Sequence, residues 1–163
     1  KLVDDGLKGW KLILFGGIAP EHEKDLPALK KLTVGYPMEI ITNGSFEDLK
    51  KYYSRAKIFW HAAGFGEDLE KYPEKAEHFG ISTVEAMAAG CVPVVFKGGG
   101  QTEIVTNGEN GFLWKSEKEW AAKTLQLISN QKLMGKTALN AKIKSRDFSK
   151  EKFFELLEKI CVF

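Results

Sequence analysis

What most limits how this chain can fold is an alternation of short, wholly apolar runs with segments of helical period. Trp10-Lys11-Leu12-Ile13-Leu14-Phe15 stops at Gly16-Gly17, and residues 37–42 (PMEIIT), 57–61 (KIFWH), 92–96 (VPVVF) and 111–114 (GFLW) are further runs of strand length. Such runs are apolar on both faces, so they belong to a parallel sheet covered by helices on both sides, the α/β class.

The intervening segments supply the helices. Residues 22–33 (HEKDLPALKKLT) have helical spacing despite Pro27. Ser45-Phe46-Glu47-Asp48 is a capping-box start that opens a helix to about Ala56. Further helices are predicted from about Gly80 to Ala89, over 101–106, and from the capping box Ser116-Glu117-Lys118-Glu119 to about Arg146 with a break near Asn130 or Gly135. A last one follows Asp147-Phe148-Ser149 and runs to about Ile160. Residues 64–76 (GFGEDLEKYPEKA) read as a long loop, and long loops in compact domains are usually functional or mobile.

With 163 residues and 44% hydrophobic content, the chain is expected to form one domain over 1–163. Its 24 basic and 22 acidic residues are interspersed, which argues against nucleic acid as a partner. No apolar run reaches the roughly 18 residues of a membrane span, and Cys91 and Cys161 have no CxxC or metal-ligand spacing. Buried thiols in a reducing, cytoplasmic setting are expected. The first residue is lysine, so the chain is expected to be a piece of something longer.

Parallel α/β sheets bind ligands at the carboxyl ends of their strands, which directs attention to loops 16–24, 43–45, 61–80 and 97–102. The third of these leads into AEHFGISTVEAMAAGCVPVV at 76–95. Glu77 and Glu85 are separated by seven residues, a spacing also found at Glu39/Glu47 and Glu109/Glu117, so spacing alone carries nothing. Context does. A helix beginning near Gly80 presents free amides around Phe79, Gly80, Ile81 and Ser82, suited to a phosphate. Carboxylates repel phosphate but accept hydrogen bonds from vicinal hydroxyls. A ligand with a diol at each end and a diphosphate between them meets both needs: ribose on Glu85, diphosphate at the helix start, hexose on Glu77. That describes a nucleoside-diphosphate sugar.

EHFGISTVEAMAAGCVPVV followed by KGGGQTEIVTNGENGFLW resembles the donor-binding region of GT-B glycosyltransferases of family 4 (glycosyl transferases group 1), which retain anomeric configuration. Glu77, Phe79, Gly80, Glu85-Ala86-Met87-Ala88, Gly90, Pro93, Gly99, Gly100, Glu103, Ile104, Val105, Gly108, Asn110 and Gly111 fit its pattern. The resemblance implies the Rossmann-like C-terminal half of such an enzyme, with the N-terminal acceptor domain absent from this chain. It implies a metal-independent transfer of a hexosyl group, mannosyl or glucosyl, to a saccharide or lipid-linked acceptor hydroxyl, without a cofactor beyond the donor substrate. The isolated piece is then expected to be inactive, and the full enzyme to work in the cytoplasm or at the cytoplasmic membrane face.

By the same resemblance Glu77 is the residue at the reacting sugar and Glu85 the ribose ligand. Asn43-Gly44 faces the base. Gly17 stands where an arginine is common, and Lys24 is the candidate for the usual lysine at the diphosphate. His61 ends a strand pointing at the crevice, His78 adjoins Glu77, and Gly99 within Gly98-Gly99-Gly100 is read as ligand-facing. An epimerase of the same architecture and a non-catalytic nucleotide-binding module are the alternatives; the sugar-binding Glu77 beside Glu85 argues against the module. In the last helix Phe153, Leu156, Leu157 and Ile160 are expected to pack on the domain. Phe154, Val162 and Phe163 then form a second apolar surface, left by the missing domain and open to self-association.

Overall fold

A computed structural model describes residues 2–161 and leaves Lys1, Val162 and Phe163 outside the described residues, so the part of the tail surface assigned to Val162 and Phe163 lies outside it. The chain divides into two compact units, with the division between Tyr52 and Tyr53.

In the first unit β1 (Leu12–Gly16) and β2 (Met38–Thr42) pair in parallel, from Leu12 opposite Met38 to Gly16 opposite Thr42. Between them the expected helix over 22–33 is split: a 3-10 turn spans Pro20–Asp25 and α1 spans Leu26–Leu32. Pro27 explains the split, because its ring excludes an α-helical carbonyl four residues back; at the start of α1 its missing amide costs nothing. Helix α2 (Phe46–Arg55) starts as its capping box predicts. The Ser45 hydroxyl accepts from the Asp48 amide at 3.1 Å and donates to the Asp48 carboxylate at 2.6 Å.

The second unit holds β3 (Ile58–His61), β4 (Val92–Phe96) and β5 (Phe112–Trp114), all parallel, in the order β3-β4-β5. Its helices are α3 (Ile81–Ala88), α4 (Gln101–Ile104), α5 (Glu117–Ser129), α6 (Gln131–Ser145) and α7 (Lys150–Ile160). Successive strand side chains point to opposite faces. Val95 accordingly packs with Met87 of α3, Ile104 of α4 and Ala141 of α6, while Val92 and Val94 pack with Phe112, Trp114 and Leu127 of α5. The central strand is thus covered on both sides, as its unbroken apolar sequence requires. Gly111 is needed beside it, since a Cβ there would stand 2.5 Å from the Pro93 ring.

Of the two predicted break points, Asn130 is the one used. Its side chain accepts from the Leu133 amide at 2.9 Å and caps α6, whereas Gly135 lies within that helix. The last helix corrects an expectation. No residue of α7 is buried, and Phe153, Leu156, Leu157 and Ile160 are all exposed along with Phe154. Helical spacing gives α7 an apolar face, but among the described residues of its own unit nothing buries that face. Among the described residues no helix is long and apolar enough to cross a membrane.

Cys91 is fully buried, its thiol donating to the Tyr53 and Ala56 carbonyls at 3.5 and 3.6 Å, whereas Cys161 is exposed. Burial pushes the Cys91 thiol up to about 11, with Lys57 opposing. The fold therefore keeps a proton that the unfolded chain releases near pH 8.5. The resulting stabilisation is complete below that pH and is lost as pH rises toward 11. Urea midpoints measured from pH 8 to 11 are expected to fall more for the native sequence than for Cys91→Ala. A thiol reagent at pH 8 should modify Cys161 at once and Cys91 only on unfolding.

Candidate functional site

The carboxyl ends of β3 and β4 carry the residues that converge. His61 is the last residue of β3, and Gly98-Gly99-Gly100 follows β4 and leads into α4. Between β3 and α3 the chain makes the long excursion anticipated over 64–76, interrupted by one 3-10 turn at Pro73–Lys75, and returns to the sheet edge with Glu77. There Glu77 Oε2 lies 3.0 Å from His61 Nε2. Behind the imidazole, Gln101 Nε2 lies 3.3 Å from His61 Nδ1. Side-chain exposures of 16% for His61 and 26% for Glu77 leave one side of the carboxylate open to a ligand.

The loop bearing Glu77 rests on the glycine triplet. The Gly100 amide donates to the Glu77 carbonyl at 2.8 Å. A Cβ on Gly99, which has φ of +52°, would overlap that same carbonyl. A Cβ on Gly100 would stand 2.5 Å from the His78 carbonyl and 2.7 Å from that of Phe79. Backbone lies on backbone here, which only residues without side chains permit. Gly99 thus supports the underside of the loop, a placement that the reading of the triplet as ligand-facing did not anticipate.

Above this support the chain enters α3 through Gly80, whose φ of +104° is left-handed and whose position supplies no capping side chain. The first amides of α3, at Ile81 and Ser82, are therefore left for an outside acceptor. Ile81 is exposed at 66% and Ser82 half-buried. His78 is exposed, and the Phe79 ring packs edge-on against Phe148 with centroids 5.5 Å apart while remaining 45% exposed.

Glu85 lies one turn further along α3, half-buried and without an ion pair or side-chain hydrogen bond among the described residues. Its charge is felt nearby: burial first, then Glu85 and Cys91, hold the Tyr53 hydroxyl up at about 12. That hydroxyl donates to the Ser82 carbonyl at 3.4 Å. A half-buried carboxylate without a protein donor is a vacant acceptor.

In the first unit, Asn43 adopts a left-handed φ of +55° directly after β2, and its side chain accepts from the Ile18 amide at 3.0 Å. This ties the turn after β2 to the loop after β1, where Gly17 sits next to Ile18. Gly44 packs under Phe15, with a Cβ position 2.5 Å from its ring. Lys24 is exposed on the 3-10 turn. No group of three or more His, Cys, Asp or Glu residues suited to a metal occurs among the described residues.

Sequence reasoning missed Gln101, Tyr53 and Phe148. Gln101 is fully buried, and the only signal available was a polar residue directly after the glycine triplet. Tyr53 and Phe148 read as ordinary helix and cap-region aromatics, because their contacts come from segments distant in sequence.

A profile of the family described as "Glycosyl transferases group 1" matches residues 1–144. Among curated proteins, "GDP-Man:Man(3)GlcNAc(2)-PP-Dol alpha-1,2-mannosyltransferase" of Xenopus laevis is 37% identical over 153 residues, covering 88% of this chain. The protein of the same name in Mus musculus is 34% identical over 155 residues. The chain spans only 29% of the length of either relative. Among solved structures, Anabaena HepE in complex with UDP-glucose superposes with a TM-score of 0.73 at 22% identity, over 97% of this chain and 43% of that one. The C-terminal domain of the group 1 glycosyl transferase LpcC from Francisella tularensis does so with a TM-score of 0.65 at 20% identity, over 92% and 90%. These two show a shared fold, the α/β fold of GT-B C-terminal domains.

The backbone packing around Glu77 has a direct consequence. Gly99→Ala and Gly100→Ala each place a methyl group into loop backbone and are expected to cost about 1–3 kcal/mol. Gly135→Ala, in a helix with nothing within 4 Å of the new carbon, is expected to add about 0.5–1 kcal/mol. Urea denaturation of the three variants checks both signs.

Proposed function

Because the chain belongs to the glycosyl transferases group 1 family, we propose that it is the donor-binding domain of a retaining mannosyltransferase of family 4, holding GDP-mannose for transfer to a lipid-linked oligosaccharide. The observation that carries the reading is the pairing of two differently placed carboxylates around an uncapped helix start. Glu77 is held by His61 at the sheet edge, and Glu85, one turn into α3, has no side-chain partner among the described residues. Glu77 binds hydroxyls of the mannose and Glu85 those of the ribose. Amides of Gly80, Ile81 and Ser82, beside His78 and Phe79, face the diphosphate. The donor and acceptor follow from the curated relatives, whose name specifies GDP-mannose and a dolichol-linked acceptor. An α-linked product from an α-configured donor corresponds to retention.

The chemistry asks little of protein nucleophiles. The sugar–phosphate bond breaks toward a diphosphate whose developing charge is met by fixed helix-start amides, and the acceptor hydroxyl attacks from the face that the leaving group vacates. The leaving diphosphate takes the hydroxyl proton. Glu77 fixes the sugar while this happens. Metal is not required, because amides already oppose the diphosphate charge. The acceptor is bound by the remainder of the full-length enzyme, so the 163-residue chain binds donor and turns over little. The uncovered face of α7, from Phe153 to Ile160, is a surface for that remainder, and in its absence for a second copy; in the full enzyme it works at a membrane face where the lipid-linked acceptor lies.

The two carboxylates are expected to fail differently. Glu85→Ala should weaken GDP and GDP-mannose alike, by about 1–3 kcal/mol. Glu77→Ala should spare GDP and remove the additional affinity contributed by mannose. Isothermal calorimetry with both ligands, repeated in EDTA without change, is the measurement; equal losses for both ligands in both variants, or binding that vanishes with the chelator, would overturn the assignment.

A further inference from the structure

We propose that Gln101 is a positioning residue for donor-sugar binding, acting through His61 to fix the carboxylate of Glu77. This rests on the reading of Glu77 as the sugar-binding carboxylate. The chain of contacts is short and directional. Gln101 Nε2 is 3.3 Å from His61 Nδ1, and His61 Nε2 is 3.0 Å from Glu77 Oε2. An amide NH2 group only donates, so Nδ1 must accept through its lone pair. The ring proton of the neutral imidazole then sits on Nε2, where it donates to Glu77. With the opposite tautomer two acceptors, Nε2 and the carboxylate, would face each other at that distance. Gln101 therefore selects the tautomer that holds Glu77.

Three further observations place Gln101 at the centre of the site. Its side chain is fully buried, so its orientation is set by packing and not by solvent. Its amide nitrogen lies 2.9 Å from where a Gly80 Cβ would stand, which puts it directly beneath the entrance of α3. Its two predecessors, Gly99 and Gly100, carry the backbone of the Glu77 loop. One three-residue segment thus grips Glu77 twice, at its carbonyl through the Gly100 amide and at its carboxylate through Gln101 and His61. The amide oxygen of Gln101 has no hydrogen-bond partner among the described residues. A buried amide that satisfies only its donor end is retained at a cost, which fits a role in orienting a neighbour better than one in holding the core together.

The test combines nitrogen NMR of His61 with calorimetry on the 163-residue chain, using GDP and GDP-mannose as probes. In the native sequence the ring is expected to show the Nε2–H tautomer, with a pyridine-type Nδ1. Gln101→Leu should lose that preference and lower the GDP-mannose to GDP affinity ratio by about 3–10-fold, the worth of one hydrogen bond, while GDP binding stays within about twofold. Gln101→Glu keeps the shape, accepts from Nδ1, and should leave the ring protonated on both nitrogens; it serves if the leucine variant does not fold. A native Nδ1–H tautomer, or a preserved Nε2–H tautomer and ratio in both variants, overturns the inference. If GDP-mannose binds no better than GDP to the native chain, the sugar-binding reading of Glu77 fails, and the tautomer still decides whether Gln101 orients His61.

Discussion

The contact on which the site depends is backbone against backbone: the Gly99-Gly100 segment lying under the carbonyls of Glu77, His78 and Phe79. No side chain fits between the two strands of this contact, so the loop after the long excursion can lie at only one height above the sheet. That height sets where Glu77 meets His61 and where the chain turns through Gly80 into α3. A shift here would move the carboxylate, the helix start and the Phe79–Phe148 packing together.

Helix α3 joins this site to the core. Its buried side, through Thr83, Ala86 and Met87, packs inward, with Met87 set against Val95 and Ile104 on one face of the central strand. The first turn and Glu85 remain accessible on the other side. Loss of a fully buried side chain such as Met87 costs about 2–5 kcal/mol, so the helix that presents the free amides is anchored by some of the strongest packing in its unit. Rigid anchoring suits the proposed role, in which the site acts by positioning.

The fold is shared with solved structures at 20–22% identity, whereas relatives at 34–37% identity carry a specific mannosyltransferase name. Matching the strand and helix order needs only apolar patterning and turns, which many sequences supply. Placing two carboxylates, a strand-end histidine and a glycine triplet in register is more demanding. Those residues lie in the second unit, which has its own sheet and both core clusters.

Local physics made much of this legible in the sequence. Apolar runs located the five strands found among the described residues, and Ser45, Ser116 and Ser149 cap the helices their spacing announces because capping is settled within a few residues. The setting of Glu77 and Glu85, on either side of a glycine that opens a helix, was legible in the sequence. Two further outcomes are also local, though spacing alone did not single them out. Asn130 rather than Gly135 ends α5 because its side chain finds the Leu133 amide, while glycine within a helix is merely unfavourable. The 3-10 turn before α1 follows from Pro27 acting on a carbonyl one turn away. Other features were decided only in three dimensions: the spacing of α7 displays an apolar face without saying whether anything covers it, and among the described residues of its own unit nothing buries it. Gln101 carried no local mark, since its partners His61 and Gly80 lie 40 and 21 residues earlier and meet it only when β3, α3 and α4 converge. Patterning fixes what each segment becomes; which side chains face one another across the sheet edge is set by packing between segments, and that is a property of the folded chain alone.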